Sequence, residues 1–207
     1  MPKVYRYRLY PTKAQQTIMN KTLELCRCVY NETLATRKNA WEQERKSISN
    51  YETHNMLPSW KAQRPELTTV HSQVLQEVQQ RVDLALKAFF RRVKAGDQGK
   101  AGYPRFKGKG RYDSFTYPQL GFKLLENLND DSTVRISKIG NVKIKLHRVL
   151  DRDRRHDIHG EQGGRSWLSR GHGRPYKYYA SVFTVRGNSQ EGTKDRVHSC
   201  DCGLVLD

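Results

Sequence analysis

The stretch "KVYRYRLYPTKAQQ", residues 3–16, changes its period halfway along. Tyr5, Tyr7 and Leu9 alternate with Arg6 and Arg8, which is the pattern of a strand with one apolar and one basic face. Pro11 ends the strand. Thr12 stands three residues before Gln15, the spacing of a capping box, so a helix should begin here. Ile18, Thr22, Leu25 and Val29 share one side of that helix, which should run to about Arg37 or beyond. A strand feeding directly into a helix points to an α+β chain.

Outward from this stretch the same two periods recur. Residues 39–64 are less regular, with a break expected at Pro58. From Glu66 to Lys94, Val70, Val74, Val78, Val82, Ala85, Phe89 and Val93 recur at steps of three or four, one stripe of a long helix that should face a core. Its last turns carry Arg91, Arg92 and Lys94, where the helix dipole favours cations, and Gly96 is the stop. "VRISKIGNVKIKLH", Val134–His147, alternates again and reads as a hairpin with its turn at Gly140–Asn141. Val134, Ile136, Val142, Ile144 and Leu146 form its apolar face, and Arg135, Lys143, Lys145 and His147 its basic one. From 147 to 174 no period survives: the segment has seven arginines, no lysine, four histidines and five glycines. "YKYYASVFTV" restores one strand.

Lys and Arg outnumber Asp and Glu by 38 to 21, a net charge of +17 on 207 residues. Such an excess is the footprint of a phosphate-backbone binder, since each cation placed near a phosphate releases condensed counterions. The first residues contain no apolar run of signal-peptide length, and no stretch approaches a membrane span. Four cysteines in such a chain suggest thiols or metal ligands in a reducing compartment, so an intracellular, soluble protein is expected.

The segment from Gly99 to Pro118, "GKAGYPRFKGKGRYDSFTYP", interleaves Tyr103, Phe106, Tyr112, Phe115 and Tyr117 with Lys100, Arg105, Lys107, Lys109 and Arg111. Aromatic faces can stack on exposed bases while cations track phosphates, and glycines let the backbone approach. With Arg6, Arg8, Arg135, Lys143 and Lys145 these form the expected nucleic-acid contact set. Cys26 and Cys28, two apart on a helix, project in different directions and read as small core or boundary residues. Cys200 and Cys202, followed by Gly203, look like half of a zinc site. Asp151, Asp153 and Asp157 lie among arginines and read as paired charges. No phosphate loop, nucleophile elbow or zinc-protease motif is present, and no catalytic residue is assigned.

The order of these pieces, "YRLYPT", a helix, "SQVLQEV", "AFFRRVKAG", "GYPRFKGKGRYDSFTYP" and a basic hairpin, strongly resembles the TnpB/OrfB transposon proteins, which are related to type V CRISPR effectors. The resemblance is close over Tyr5–Leu146, poor over Arg148–Arg174, weak at "YKYYASVFTV" and sharp at "DRVHSCDCGLVLD". It implies a small basic wedge-like β-barrel, from about 1–12 and 100–147, with a helical recognition lobe inserted at 13–99. Residues 148–207 would be a poorly packed remnant of a RuvC-like nuclease ending in half a zinc ribbon. The implied partners are a guide RNA and target-adjacent DNA, without a membrane, in a prokaryotic cytoplasm near the nucleoid.

The family's nuclease half would use a divalent metal such as magnesium on three carboxylates. The Gly-Ile-Asp-x-Gly-like strand, the segment of the middle glutamate and the first C-x-x-C arm have no counterpart here. The expectation is therefore a truncated binder of RNA and DNA that has lost cleavage. The alternatives are an active RNA-guided endonuclease and a guided repressor that does not cut.

Overall fold

The computed structural model describes residues 3–96, 102–118, 120–125 and 132–145, and the backbone of strands at 166–170, 178–184, 198–200 and 204–206; side chains are described from Tyr7 to Lys145 within those limits. The chain is α+β. β1 (Lys3–Tyr10) leads into α1 (Lys13–Glu44), α2 (Asn50–Gln63), a short 3-10 turn (Pro65–Thr69) and α3 (Ser72–Lys94). Strands β2 (Ser114–Tyr117), β3 (Phe122–Leu125), β4 (Thr133–Ile136), β5 (Gly140–Lys145), β6 (Ser166–Arg170) and β7 (Tyr178–Thr184) follow, and β8 (His198–Cys200) pairs with β9 (Leu204–Leu206).

The capping box at Thr12 forms: its hydroxyl accepts from the Gln15 amide, and the Gln15 side chain accepts from the Thr12 amide. A second box, Ser49 with Glu52, starts α2. The break expected at Pro58 does not occur, and α2 runs through it. Proline removes one helical hydrogen bond. Tethers on either side keep α2 in place: Gln79 donates to the Thr53 carbonyl, and Arg64 at the C-cap reaches Glu32 of α1. The long helix expected from Glu66 begins only at Ser72, after the 3-10 turn and an extended Val70; its stripe is a core feature over Val74, Val78 and Val82, all buried as Val70 is, but it surfaces by Val93. Gly96 ends it with φ +79°.

The main sheet has the order β2-β6-β7-β1-β5-β4-β3 and is antiparallel throughout. Its run β1-β5-β4-β3 turns Tyr7, Leu9, Val134, Ile136, Val142 and Ile144 into one core with Met19, Leu23, Val29 and Leu34 of α1 and the α3 valines. The expected closed barrel does not form; the sheet is open, with β2 and β3 at its edges. β2 and β3 are consecutive in the chain yet stand at opposite ends of the order, and side chains of α3 hold β2 and the segment that follows it. Arg81 of α3 donates to the Ser114 carbonyl and the Thr116 hydroxyl of β2, and Gln73 accepts from the Leu120 amide. The hairpin turn also lies earlier than expected, at Ser137–Ile139, with Lys138 at φ 69° and Gly140 already in β5. The Ile139 amide closes it onto the Ile136 carbonyl, and Ile139 is buried beneath it.

His71, the N-cap of α3, packs its ring 5.5 Å from Tyr117. Burial, then the charges of Lys138 and Lys61, hold its imidazole below the ordinary histidine range. A lowered folded pKa means that the unfolded chain binds the extra proton, so stability falls as pH drops through the ordinary value of about 6.5. Urea midpoints should decline between about pH 7.5 and 5.5, and His71→Gln should remove part of that decline. Equal declines in both chains would exclude this histidine as the cause.

Candidate nucleic-acid interface

The strand register sorts the basic residues onto one face. Arg8 lies opposite Lys145, Tyr10 opposite Lys143, Arg135 opposite Asn141 and Lys123 opposite Arg135. Residues directly opposite, and those two apart on a strand, point to the same side. Arg8, Lys123, Arg135, Lys143 and Lys145 therefore share the face away from the core, and all five are exposed. No acid occupies a described position on that face. With strands about 4.8 Å apart and alternate residues about 7 Å apart, the stripe from Arg8 to Lys123 crosses four strands and spans about 20 Å. The Arg8 guanidinium lies 5.0 Å from the half-exposed Tyr10 ring. Two of the opposed pairs, Arg8–Lys145 and Lys123–Arg135, carry like charge, which costs stability.

The aromatic-basic segment is a strap laid between α1 and α3. Its start is tied to α3, where Arg92 donates to the Gly102 carbonyl and Tyr103 packs edge-on to Phe89 at 5.3 Å. At its middle, the Lys107 amide donates to Asn31 and the Lys107 carbonyl accepts from Asn31 and Arg27. The Lys107 ammonium lies over Tyr30. At its end Tyr112 packs on Tyr30, and Arg81 donates to its hydroxyl.

The candidate contact residues divide accordingly. Arg105, Lys109, Arg111 and the rings of Tyr103 and Phe106 reach the surface, Phe106 being 52% exposed. Tyr112, Phe115 and Tyr117 do not: at 6%, 2% and 1% exposed they are core residues, and their faces are closed to a base. Their hydrophobic area is better buried against the α1 and α3 stripes, and burial pushes the Tyr112 and Tyr117 hydroxyls well above the usual phenol range. Lys107 is half-buried over Tyr30. Lys100, the side chain of Arg6, and Asp151, Asp153 and Asp157 lie outside the described residues, as does Cys202; Cys200 is described only as backbone at the end of β8. Cys26 is buried, its thiol pushed up to about 12 by that burial, and Cys28 lies at the boundary.

Sequence reasoning passed over Lys123, because β3 has too short an alternation to stand out, and Tyr10, the last residue of β1 before Pro11. It also passed over Arg27, Asn31 and Arg81, whose partners lie far along the chain. Among the described residues no group of three or more His, Cys, Asp or Glu side chains is placed to hold a metal ion, and no helix is long and apolar enough to cross a membrane.

Residues 1–46 match a sequence family described as "Helix-turn-helix domain", of the OrfB/IS605 type. Over the described part of that span the chain is a strand and one uninterrupted helix, with no turn between two helices. The chain is 30% identical over 150 residues to the "Putative RNA-guided DNA endonuclease InsQ" of Escherichia coli strain K12, covering 72% of this chain and 35% of that protein. It is 29% identical over 109 residues to a "Putative RNA-guided DNA endonuclease" of Streptomyces pristinaespiralis, covering 52% of this chain and 25% of that protein. The chain thus spans about a third or less of the length of these relatives.

Proposed function

We propose, taking as premise that this chain belongs to the TnpB/OrfB family of transposon proteins, that it binds a guide RNA and the DNA beside its target. The observation that carries this reading is the pair of like-charge cross-strand contacts on a sheet face with no acid at its described positions. A face shaped for stability alone would set acids opposite those cations; one shaped for phosphates need not. The strap adds exposed Tyr103 and Phe106 beside Arg105, a combination suited to unpaired bases. The names of the relatives, both RNA-guided DNA endonucleases, support RNA and DNA as the partners.

We further propose that these 207 residues bind without cutting, and that zinc at Cys200 and Cys202 is at most half held. RuvC-type chemistry brings two metal ions together on several carboxylates. The motifs that would carry the first two are not in this sequence, and Asp151, Asp153 and Asp157 are interspersed with Arg152, Arg154 and Arg155. The chain should be purified with its RNA, which is then sequenced and presented with a library of DNA targets and magnesium or manganese. A defined RNA species and selective retention of DNA without cleavage are expected. Cleavage abolished by Asp→Asn at any of the three aspartates would overturn the second proposal. Absence of any retained RNA would overturn the first.

A further inference from the structure

We infer that Asn31 is a positioning residue that holds the strap's outward groups ready for nucleic acid. This rests on the reading of the strap as a contact surface. The Asn31 amide pairs with the main chain of Lys107 in both directions: its Oδ1 accepts from the amide at 2.8 Å and its Nδ2 donates to the carbonyl at 3.0 Å. A side-chain amide used this way imitates a neighbouring β-strand.

Arg27, one turn earlier on the same helix face, donates to the same carbonyl at 3.0 Å. Glu24 orients Arg27 by accepting from its Nε and Nη2, which also holds the Glu24 carboxyl below the usual range. Both grips hold the backbone, so they set the path of the chain and not the identity of residue 107.

The path needs setting. Gly102, Gly108 and Gly110 leave the strap with unusual backbone freedom, and Gly110 stands at φ +74°. Phe106, on one side of the clamped residue, is exposed, as is Lys109 two residues beyond it. If the clamp is released, those groups must be ordered again each time a strand binds, which costs affinity without removing a charge.

The test separates position from charge. Hydrogen exchange of the Lys107 amide is measured in the free chain, and affinity for dye-labelled oligouridylate RNA across a range of salt. Asn31→Ala should lose protection at Lys107 and about tenfold in affinity, with an unchanged slope of log affinity against log salt. Asn31→Leu, which keeps the volume, should behave alike and guards against a folding defect. Arg105→Ala should leave the exchange unchanged and flatten the slope by about one.

Protection lost with affinity intact would make Asn31 a purely structural residue and overturn the inference while leaving the interface standing. A flattened slope in Asn31→Ala would overturn it too. Failure of the parent chain to bind the RNA would remove the interface itself, whatever the exchange shows.

Discussion

A chain carrying Arg8→Gln, Lys123→Gln, Arg135→Gln and Lys145→Gln should unfold at a higher denaturant concentration than its parent and lose its nucleic acid. These four residues are exposed and stand in two directly opposed pairs. Like charges facing each other across a sheet cost about 0.2–1 kcal/mol per pair, so removing both should return on the order of 1 kcal/mol. In binding, each neutralised phosphate contributes close to one decade of affinity at about 0.1 M salt, and four lost contacts amount to on the order of a thousandfold. The two readouts move in opposite directions, which a general folding defect cannot imitate. A variant that binds as well as the parent would show that the stripe is not a contact surface, and a less stable one would show that the opposed cations do not repel each other.

The largest expected loss of stability comes from one methyl group, in Gly121→Ala. Gly121 stands at φ +101°, and a Cβ built there would lie 2.7 Å from a ring carbon of Tyr117 and 3.3 Å from the His71 ring. The Tyr117 ring is fully packed, and its hydroxyl donates to the Ser137 carbonyl, while the Ser137 amide donates to the Gly121 carbonyl. The residue is therefore the meeting point of the β2–β3 and β4–β5 turns. Strain at a φ that only glycine tolerates, added to overpacking of an aromatic ring, should cost about 3 kcal/mol. Denaturant midpoints measure it directly. A loss under about 0.5 kcal/mol, the range of ordinary surface changes, would mean that the two turns do not meet as described. The consequence for function is geometric, since β3 and β4 carry Lys123 and Arg135.

The fold was legible in the sequence wherever a period held long enough to be counted. β1, α1, α3 and the hairpin all follow from alternation or a stripe of valines. Register carried the candidate site as well: once Leu9 and Ile144 face the core, Arg8 and Lys145 must face away from it. The alternation of Phe115 and Tyr117 with polar residues, by contrast, fits a binding strap and a buried strand equally, and only packing against α1 and α3 decides for the strand. The open sheet was hidden for another reason. Closure depends on which strands pair, and β2, at one edge, takes its partner from β6, whose residues lie some fifty positions further along the chain. Pro58 misled because one lost helical bond was weighed without the tethers on either side of it.

The central claim, that this face and strap hold a phosphate backbone, is tested most directly by the salt dependence of RNA binding by the unaltered chain. With about six phosphate contacts, affinity should fall on the order of a thousandfold between about 50 and 200 mM salt, in a straight line on logarithmic axes. An affinity that stays level across that range would contradict it.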